Sequence, residues 1–252
     1  MRLERASSVA SRLVVVAQSP STNAELRELS HDRASWPHLS VLMTDTQTAG
    51  RGRLDRTWET PAGTALAVSV LLRDLPPGAR ERGWIPLAAG VAMTDAVAAQ
   101  LPGRHVGLKW PNDVLVDGRK ICGILAEATS DAVIVGAGVN TAMTAEQLPV
   151  PTATSFAALG AEVDVDRLLA DYLARLAGII AGLGSGAAAS ALHADTTARC
   201  VTIGRRVRVL LPGGAELGGT AVRLDEDGRL VVDDGRAERS VSAGDVVHVR
   251  PV

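Results

Sequence analysis

The chain has 252 residues, 46% of them apolar, which is enough to fill the core of one large domain or of one domain with a small appendage. Its 26 basic and 28 acidic residues leave a net charge of −2, so we expect neither nucleic acid nor a membrane as a partner. No apolar run approaches the roughly 18 residues of a membrane span. The two cysteines lack CxxC spacing, which fits a reducing cytoplasm.

Short runs of β-branched and other apolar residues predict the strands of a sheet in the first 200 residues. In chain order these runs are 13–17, 40–44, 64–72, 106–110, 114–116, 120–128 and 132–135. The first run is an unbroken apolar stretch with three consecutive valines, which predicts a buried strand. Asp117 and Gly118 are typical of a tight hairpin turn, and with connections this short we expect a largely antiparallel sheet.

Two longer segments predict helices packed on this sheet. Residues 85–101 are rich in alanine, with apolar residues on one face, and residues 165–183 carry apolar residues at helical spacing. A shorter helix is predicted to begin near Ser21 or Thr22, where the side chains can cap it. The small residues of 182–191 should end or loosen the preceding helix.

After Cys200 the pattern changes to short strands separated by glycine turns. The predicted strands are 201–203, 206–211, 216–224, 230–233, 239–241 and 246–249. This spacing predicts a small barrel of about five strands. We therefore expect two domains, residues 1–200 and residues 201–252, with the second too small to be stable alone and packed on the first.

An arginine-rich segment lies between the second and third predicted strands. The polar residues 45–60 predict a long loop that contains Gly50-Arg-Gly-Arg53, followed by Arg56 and Trp58. Its glycines let the backbone approach a ligand and its guanidiniums can wrap an anion. The loop has neither the Walker A pattern nor the GxGxxG pattern. A solvated surface loop is the alternative.

Two further segments place polar groups at strand ends. Lys109-Trp-Pro-Asn-Asp113 ends a strand with a proline and polar side chains, which predicts a site or a tight turn. In Gly136-Ala-Gly-Val-Asn140, small residues can let a flat ligand lie against the backbone, and the terminal amide can bind it. The alternative for this second segment is a strand-end turn.

Lys120 lies on an otherwise apolar predicted strand. Two-residue alternation places it on the face of Cys122 and Ile124 and opposite Glu127, unless a bulge at Gly123 changes the alternation. A lysine that faces core residues is costly unless it meets an anion. A snorkelling surface lysine is the alternative.

Five motifs resemble those of biotin protein ligases in their order and spacing. They are Ser21-Thr-Asn23, Gln47-Thr-Ala-Gly-Arg-Gly-Arg53, Lys109-Trp-Pro-Asn-Asp113, Lys120-Ile-Cys-Gly-Ile-Leu-Ala-Glu127 and Gly136-Ala-Gly-Val-Asn140. The segment Arg206-Val-Arg-Val and its small barrel also resemble the family, so the resemblance covers nearly the whole chain. It implies an α+β fold: a catalytic domain related to class II aminoacyl-tRNA synthetases and lipoate ligases, with a mixed sheet and flanking helices, followed by an SH3-like β-barrel.

The resemblance also implies the chemistry. The family forms biotinyl-5′-AMP from biotin and ATP with Mg²⁺, releases pyrophosphate, and passes biotin to a lysine of the biotin carboxyl carrier domain of a carboxylase. The biotin carboxylate is itself the nucleophile, so the protein needs only to position groups and neutralise charge. The motif at Ser21 begins too early for the winged helix of bifunctional members, which implies a ligase without repressor function.

Residue roles follow from the same resemblance. The expected catalytic residues are Lys120 and Arg53. The expected biotin-binding residues are Ser21, Thr22, Asn23, Gln47, Gly50, Arg51, Gly52, Arg53, Lys120 and Gly123. The expected nucleotide-binding residues are Arg53, Trp58, Lys109, Asn112 and Asn140. The metal ligands are not assigned.

One residue departs from the family pattern. The family's loop usually reads GRGRxGR, and here Asp55 replaces the last glycine, which puts a carboxylate beside the phosphate-binding arginines and removes the conformational freedom of glycine.

Two other functions remain open. One is a lipoate-type acyl-adenylating ligase on the same fold, and the other, from a different class, is an RNA-binding protein, since GRGR segments and small barrels recur in those.

Overall fold

The computed structural model describes residues 2–53, 56–76, 78–211, 214–242 and 244–248. Its helices are α1 (Glu4–Val9), α2 (Thr22–Leu29), α3 (Ala79–Gly83), α4 (Ile85–Ala98), α5 (Val165–Gly182) and α6 (Gly186–Arg199). Its strands are β1 (Arg12–Val15), β2 (Ser40–Thr44), β3 (Gly50–Arg51), β4 (Thr57–Trp58), β5 (Ala65–Leu72), β6 (Val106–Lys109), β7 (Asp113–Val116), β8 (Arg119–Ala128), β9 (Val133–Asn140), β10 (Arg206–Leu210), β11 (Glu216–Leu224), β12 (Leu230–Asp233), β13 (Glu238–Val241) and β14 (Asp245–His248). None of the helices in these ranges combines the length and the apolar character that crossing a membrane requires.

Seven strands form the larger sheet, in the order β1-β2-β5-β9-β8-β7-β6. Only β1 with β2 is a parallel pair, which confirms the predicted, largely antiparallel sheet. The β7–β8 hairpin turns where predicted, with positive φ angles of 49° at Asp117 and 77° at Gly118. Helix α2 also begins where predicted, because the Ser21 hydroxyl accepts a hydrogen bond from the Ala24 N–H.

Helix α4 is the centre of the core. It contacts α5, α6 and strands β6 to β8, and it is buried nearly all round. The prediction that only one face of this helix is apolar and buried is therefore wrong, because neighbouring elements pack on several of its sides. At Gly90 of α4 the Leu108 side chain lies where a Cβ would stand, so the small residue lets helix and sheet approach closely.

Several other sequence expectations need correction. Strand β1 is a sheet edge rather than a buried strand, and its Val15 is 49% exposed. Helix α5 does end at Gly182, as expected for segment 182–191, but the segment also contains the start of α6, capped by Ser185, which was not predicted. Residues 201–203 form a turn rather than a strand, and the two short helices α1 and α3 were not predicted.

The five strands after α6 form a smaller antiparallel sheet in the order β13-β12-β11-β10-β14. It packs on the first part of the chain through two buried tryptophans. The Trp110 indole N–H donates to the Gly228 carbonyl at 3.0 Å, and the Trp84 indole N–H donates to the Glu226 carbonyl at 3.2 Å. The α+β class is confirmed, with a mixed sheet, flanking helices and a small all-β unit.

Candidate active site

A cleft opens on one face of the larger sheet and has an empty volume of about 890 Å³, including its open mouth. Eleven of the expected site residues line it: Ser21, Thr22, Asn23, Gln47, Arg51, Gly52, Arg53, Trp58, Asn112, Lys120 and Gly123. Segments separated by up to a hundred residues in the chain therefore meet in one place.

Three expected residues are not part of the cleft wall. Gly50 lies just behind it, where a Cβ would clash with the Gln47 amide. The Asn140 amide is buried and donates to the Thr154 carbonyl at 2.9 Å. The Lys109 ammonium lies 3.9 Å from the Asp113 carboxylate and does not line the cleft.

Hydroxyl and amide groups crowd one end of the cleft. The N–H and hydroxyl of Thr22 donate to Gln47 Oε1 at 2.9 and 3.2 Å. The buried Ser69 hydroxyl of β5 donates to Asn23 Oδ1 at 2.6 Å, and the Asn23 amide donates to Glu127 Oε2 at 2.7 Å. This end offers hydrogen-bond donors and acceptors close together, as a small polar ring requires. Ser69 was not predicted, because nothing in its valine-rich strand marks it.

Glycines of β9 form the floor of the cleft. A Cβ at Gly136 would clash with Asn23 Oδ1, and one at Gly138 would lie 2.8 Å from the Trp58 ring. Trp58 therefore rests directly on the backbone of the floor. The two glycines thus make room for the Asn23 amide and for the Trp58 ring, and the close approach of a ligand to this segment stays a prediction.

The arginine loop, which the structure describes at residues 50–53 and 56–58, lies along one side of the cleft. Where the sequence predicted an irregular loop, β3 and β4 pair as a hairpin, and the Gly52 N–H donates to the Arg56 carbonyl at 2.6 Å. Its arginines reach in three directions. Arg51 pairs with Glu127 at 3.2 Å, Arg53 donates to Asn112 Oδ1 at 3.1 Å, and Arg56 pairs with Asp245 of β14. Asp55 lies outside the described residues.

Arg53 differs from its two neighbours. Among the described residues it forms no ion pair with a carboxylate, and its partner is the neutral Asn112 amide. Burial lowers the pKa of Arg53, against the opposing field of Asp113 and Asp245. A part-buried guanidinium with a neutral partner favours binding of an anion beside it.

Lys120 lies in the cleft because β8 contains a bulge. Asp113 pairs with Gly123 and Leu115 pairs with Lys120, so β8 has one more residue than β7 between these pairs. The predicted alternation is therefore wrong: Lys120 shares a face with Gly123, whose added Cβ would lie 2.9 Å from the lysine nitrogen. Cys122, which was predicted to share a face with Lys120, lies instead on the buried face of β8.

The Lys120 ammonium pairs with Asp113 Oδ1 at 2.6 Å, and the lysine side chain is 42% exposed. Sequence reasoning treated Asp113 only as part of a polar strand end and did not name it as a site residue. Its position opposite Gly123 on the neighbouring strand is the signal that identifies it. Behind this pair, burial raises the pKa of the Cys122 thiol to about 12, which makes it an inert core residue.

Comparison with known proteins assigns the chain. The profile of the biotin/lipoate A/B protein ligase family matches residues 15–140, and that of the biotin protein ligase C terminal domain matches residues 202–249. The biotin–[acetyl-CoA-carboxylase] ligase of Mycobacterium tuberculosis is 43% identical over 242 residues, which are 95% of this chain and 90% of that protein. The chain belongs to the biotin/lipoate protein ligase family.

Solved structures of this family share the fold. A biotin protein ligase from Aquifex aeolicus in complex with biotin and ATP superposes with a TM-score of 0.78 at 24% identity, covering 96% of this chain and 100% of that one. A ligase from Leishmania major in complex with biotinyl-5-AMP gives a TM-score of 0.63 at 24% identity, covering 96% and 99%. At this identity the likeness extends to the fold of a family member.

Proposed function

We propose that the chain is an ATP-dependent biotin protein ligase, which forms biotinyl-5′-AMP and transfers the biotinyl group to a lysine of a biotin carboxyl carrier domain. The observation that carries this proposal is the division of one cleft into a neutral polar end and a cationic end. An acyl-adenylate has the same division, with a polar ring at one end and a phosphate beside the acyl group.

The polar end suits the ureido ring of biotin. Thr22, Asn23 and Gln47 offer donors and acceptors, and Ser21, at the N-terminus of α2, adds a hydroxyl. These groups bond to one another or to Ser69, so a ligand that replaces these hydrogen bonds with its own keeps the buried groups paired. The remaining biotin contacts in the proposal are Gly50, Arg51, Gly52 and Gly123.

The cationic end suits the phosphate chain. In the first step a carboxylate oxygen of biotin bonds to the α-phosphorus of ATP, and the bond to the pyrophosphate oxygen breaks. Arg53 and Lys120 stabilise the charge that develops on the α-phosphate. In the second step the acceptor amine attacks the acyl carbon, loses a proton, and AMP leaves. Trp58, Lys109, Asn112 and Asn140 are the proposed nucleotide contacts.

Mg²⁺ belongs to the ATP substrate in this proposal. Within the described ranges no three or more His, Cys, Asp or Glu side chains cluster as a metal site would need. Mg²⁺ in nucleotide sites is commonly held by the phosphates and water with one or two carboxylates. The proposed domains are residues 1–200 for catalysis and 201–252 as a C-terminal domain, and the proposed location is the cytoplasm, where ATP is abundant.

The test is mass spectrometry of a purified carrier domain incubated with the protein, biotin and ATP. The expected result is one added biotinyl group on one lysine, absent without ATP and absent when that lysine is replaced by arginine. A parallel incubation with lipoate in place of biotin separates the two branches of the family. An unmodified carrier, or modification by lipoate alone, would contradict the proposal.

A further inference from the structure

Only two of the described cleft residues come from the smaller sheet. They are Gly244 and Asp245, at the start of β14. A Cβ at Gly244 would lie 2.7 Å from Val209 Cγ1 and 3.1 Å from the Leu210 carbonyl, so the backbone packs tightly against β10. This packing fixes the point from which Asp245 reaches the rim of the cleft.

Asp245 pairs with Arg56 of the arginine loop. The carboxylate side chain is 27% exposed and the guanidinium side chain is 58% exposed. The hydrogen bond to Asp245 raises the pKa of Arg56. A part-buried carboxylate beside a site for anions is unfavourable unless a cation neutralises it, so the pair is worth keeping whether or not a ligand is present.

The pair acts on the rest of the loop through the backbone. The Gly52 N–H donates to the Arg56 carbonyl at 2.6 Å, which ties Gly52 to Arg56. Arg53 lies between them and reaches Asn112 across the cleft. Holding Arg56 at the smaller sheet therefore holds Gly52 and Arg53 over the site.

We propose that Asp245 is a positioning residue, through which the smaller sheet holds the arginine loop closed over the cleft and sets how long the acyl-adenylate stays bound. The proposal rests on the proposed ligase function for the identity of the ligand. The closing contact joins two side chains of this chain, so it can be tested separately from the ligand.

Asp245→Asn removes the charge and keeps the shape. The matched control is Glu216→Gln in the same sheet, whose exposed carboxylate lies 3.9 Å from Arg208 and does not line the cleft. Synthetic biotinyl-5′-AMP is bound to each protein and its dissociation is followed after dilution into excess biotin. Asp245→Asn should release it about two- to fivefold faster than wild type, the range expected for a part-exposed ion pair, and the control should match wild type.

A second measurement needs no ligand. Trypsin cleavage after Arg51 and Arg53 should be faster in ligand-free Asp245→Asn than in wild type or the control. Arg56→Gln breaks the same pair from the loop side and should behave alike, which covers the case in which Asp245→Asn fails to fold. The exchanged pair Arg56→Asp with Asp245→Arg should restore slow cleavage.

The outcomes separate cleanly. Equal trypsin cleavage in wild type, Asp245→Asn and Arg56→Gln would overturn the closing role of Asp245. Faster cleavage in the variants, together with no binding of biotinyl-5′-AMP to the wild type, would keep the closing role and refute the ligase function. Because the chain has only two lysines, leaked adenylate is best detected as biotin on an added lysine-rich protein such as serum albumin.

Discussion

Replacing Lys120 by alanine should slow adenylate formation by at least about a hundredfold. Losing one preorganised group that stabilises transition-state charge costs about 3 kcal/mol. A second effect acts in the same direction. The Asp113 carboxylate, 17% exposed, now pairs with Lys120 at 2.6 Å and has Lys109 as a looser partner at 3.9 Å. Without Lys120 this carboxylate repels the phosphate that the site must hold.

The assay is biotin-dependent pyrophosphate release, with thermal unfolding measured alongside. Arg119→Ala, the preceding position on β8 and outside the cleft, is the matched control, and Lys109→Ala should be slowed less than Lys120→Ala. Lys120→Arg should restore little, because the nitrogen lies against Gly123 where a planar fork has no room. A Lys120→Ala protein that folds normally and releases pyrophosphate at the wild-type rate would refute this assignment of the site.

Three other outcomes are expected. Gly138→Ala should raise the KM for ATP by about tenfold, because its Cβ would lie 2.8 Å from the ring of Trp58, a proposed nucleotide contact, and overpacking of this kind costs about 1 to 3 kcal/mol. Titration calorimetry with ATP is the second readout, and unchanged affinity would contradict the prediction. Trp110→Phe should lower the free energy of unfolding in urea by about 1 to 2 kcal/mol, because it leaves the buried Gly228 carbonyl without its 3.0 Å donor. Burial lowers the pKa of His248 from 6.5 to about 4, so the unfolded chain binds a proton that the folded chain does not, and stability should fall as the pH drops from 6.5 towards 4. In His248→Gln the melting temperature should depend less on pH between 6.5 and 4. An unchanged pH dependence would show that other groups cause it.

Much of the fold was predictable, because periodicity reports which elements form and turn residues report where they end. Strand β2 and the β7–β8 hairpin follow from local residues alone. Burial was less predictable. Strand β1 has the composition of a buried strand, yet it lies at the sheet edge because only β2 pairs with it. Helix α6 has an alanine-rich sequence with little apolar periodicity, so its pattern does not predict a helix.

The residues of the candidate site also differ in how well the sequence predicts them. The polar end, the arginine loop and Lys120 were predicted through the resemblance of their motifs to a known family, because the local sequence alone also allowed a solvated surface loop and a snorkelling lysine. Their partners could not be predicted, because Ser69, Asp113 and Asp245 gain a role only from what lies opposite them. An isolated serine in an apolar strand or an aspartate in a polar turn gives no signal until the sheet brings the distant segments together.

The bulge in β8 shows how one residue decides the chemistry of the cleft. With strict alternation Lys120 would share the buried face of Cys122, where an ammonium is costly and could not reach an anion. The extra residue between the Leu115–Lys120 and Val114–Cys122 pairs turns the lysine to the face of Gly123, while the residues after it keep their alternation. The bulge interrupts the hydrogen-bond ladder between β7 and β8 locally. It also places the Lys120 ammonium beside Asp113 of the neighbouring strand, inside the cleft. Deleting Ile121 should make the ladder regular and leave Lys120 on the face of Gly123, so the deletion variant should lose stability with the buried isoleucine yet retain pyrophosphate release. Ile121→Val, which keeps the extra residue, should leave both nearly unchanged.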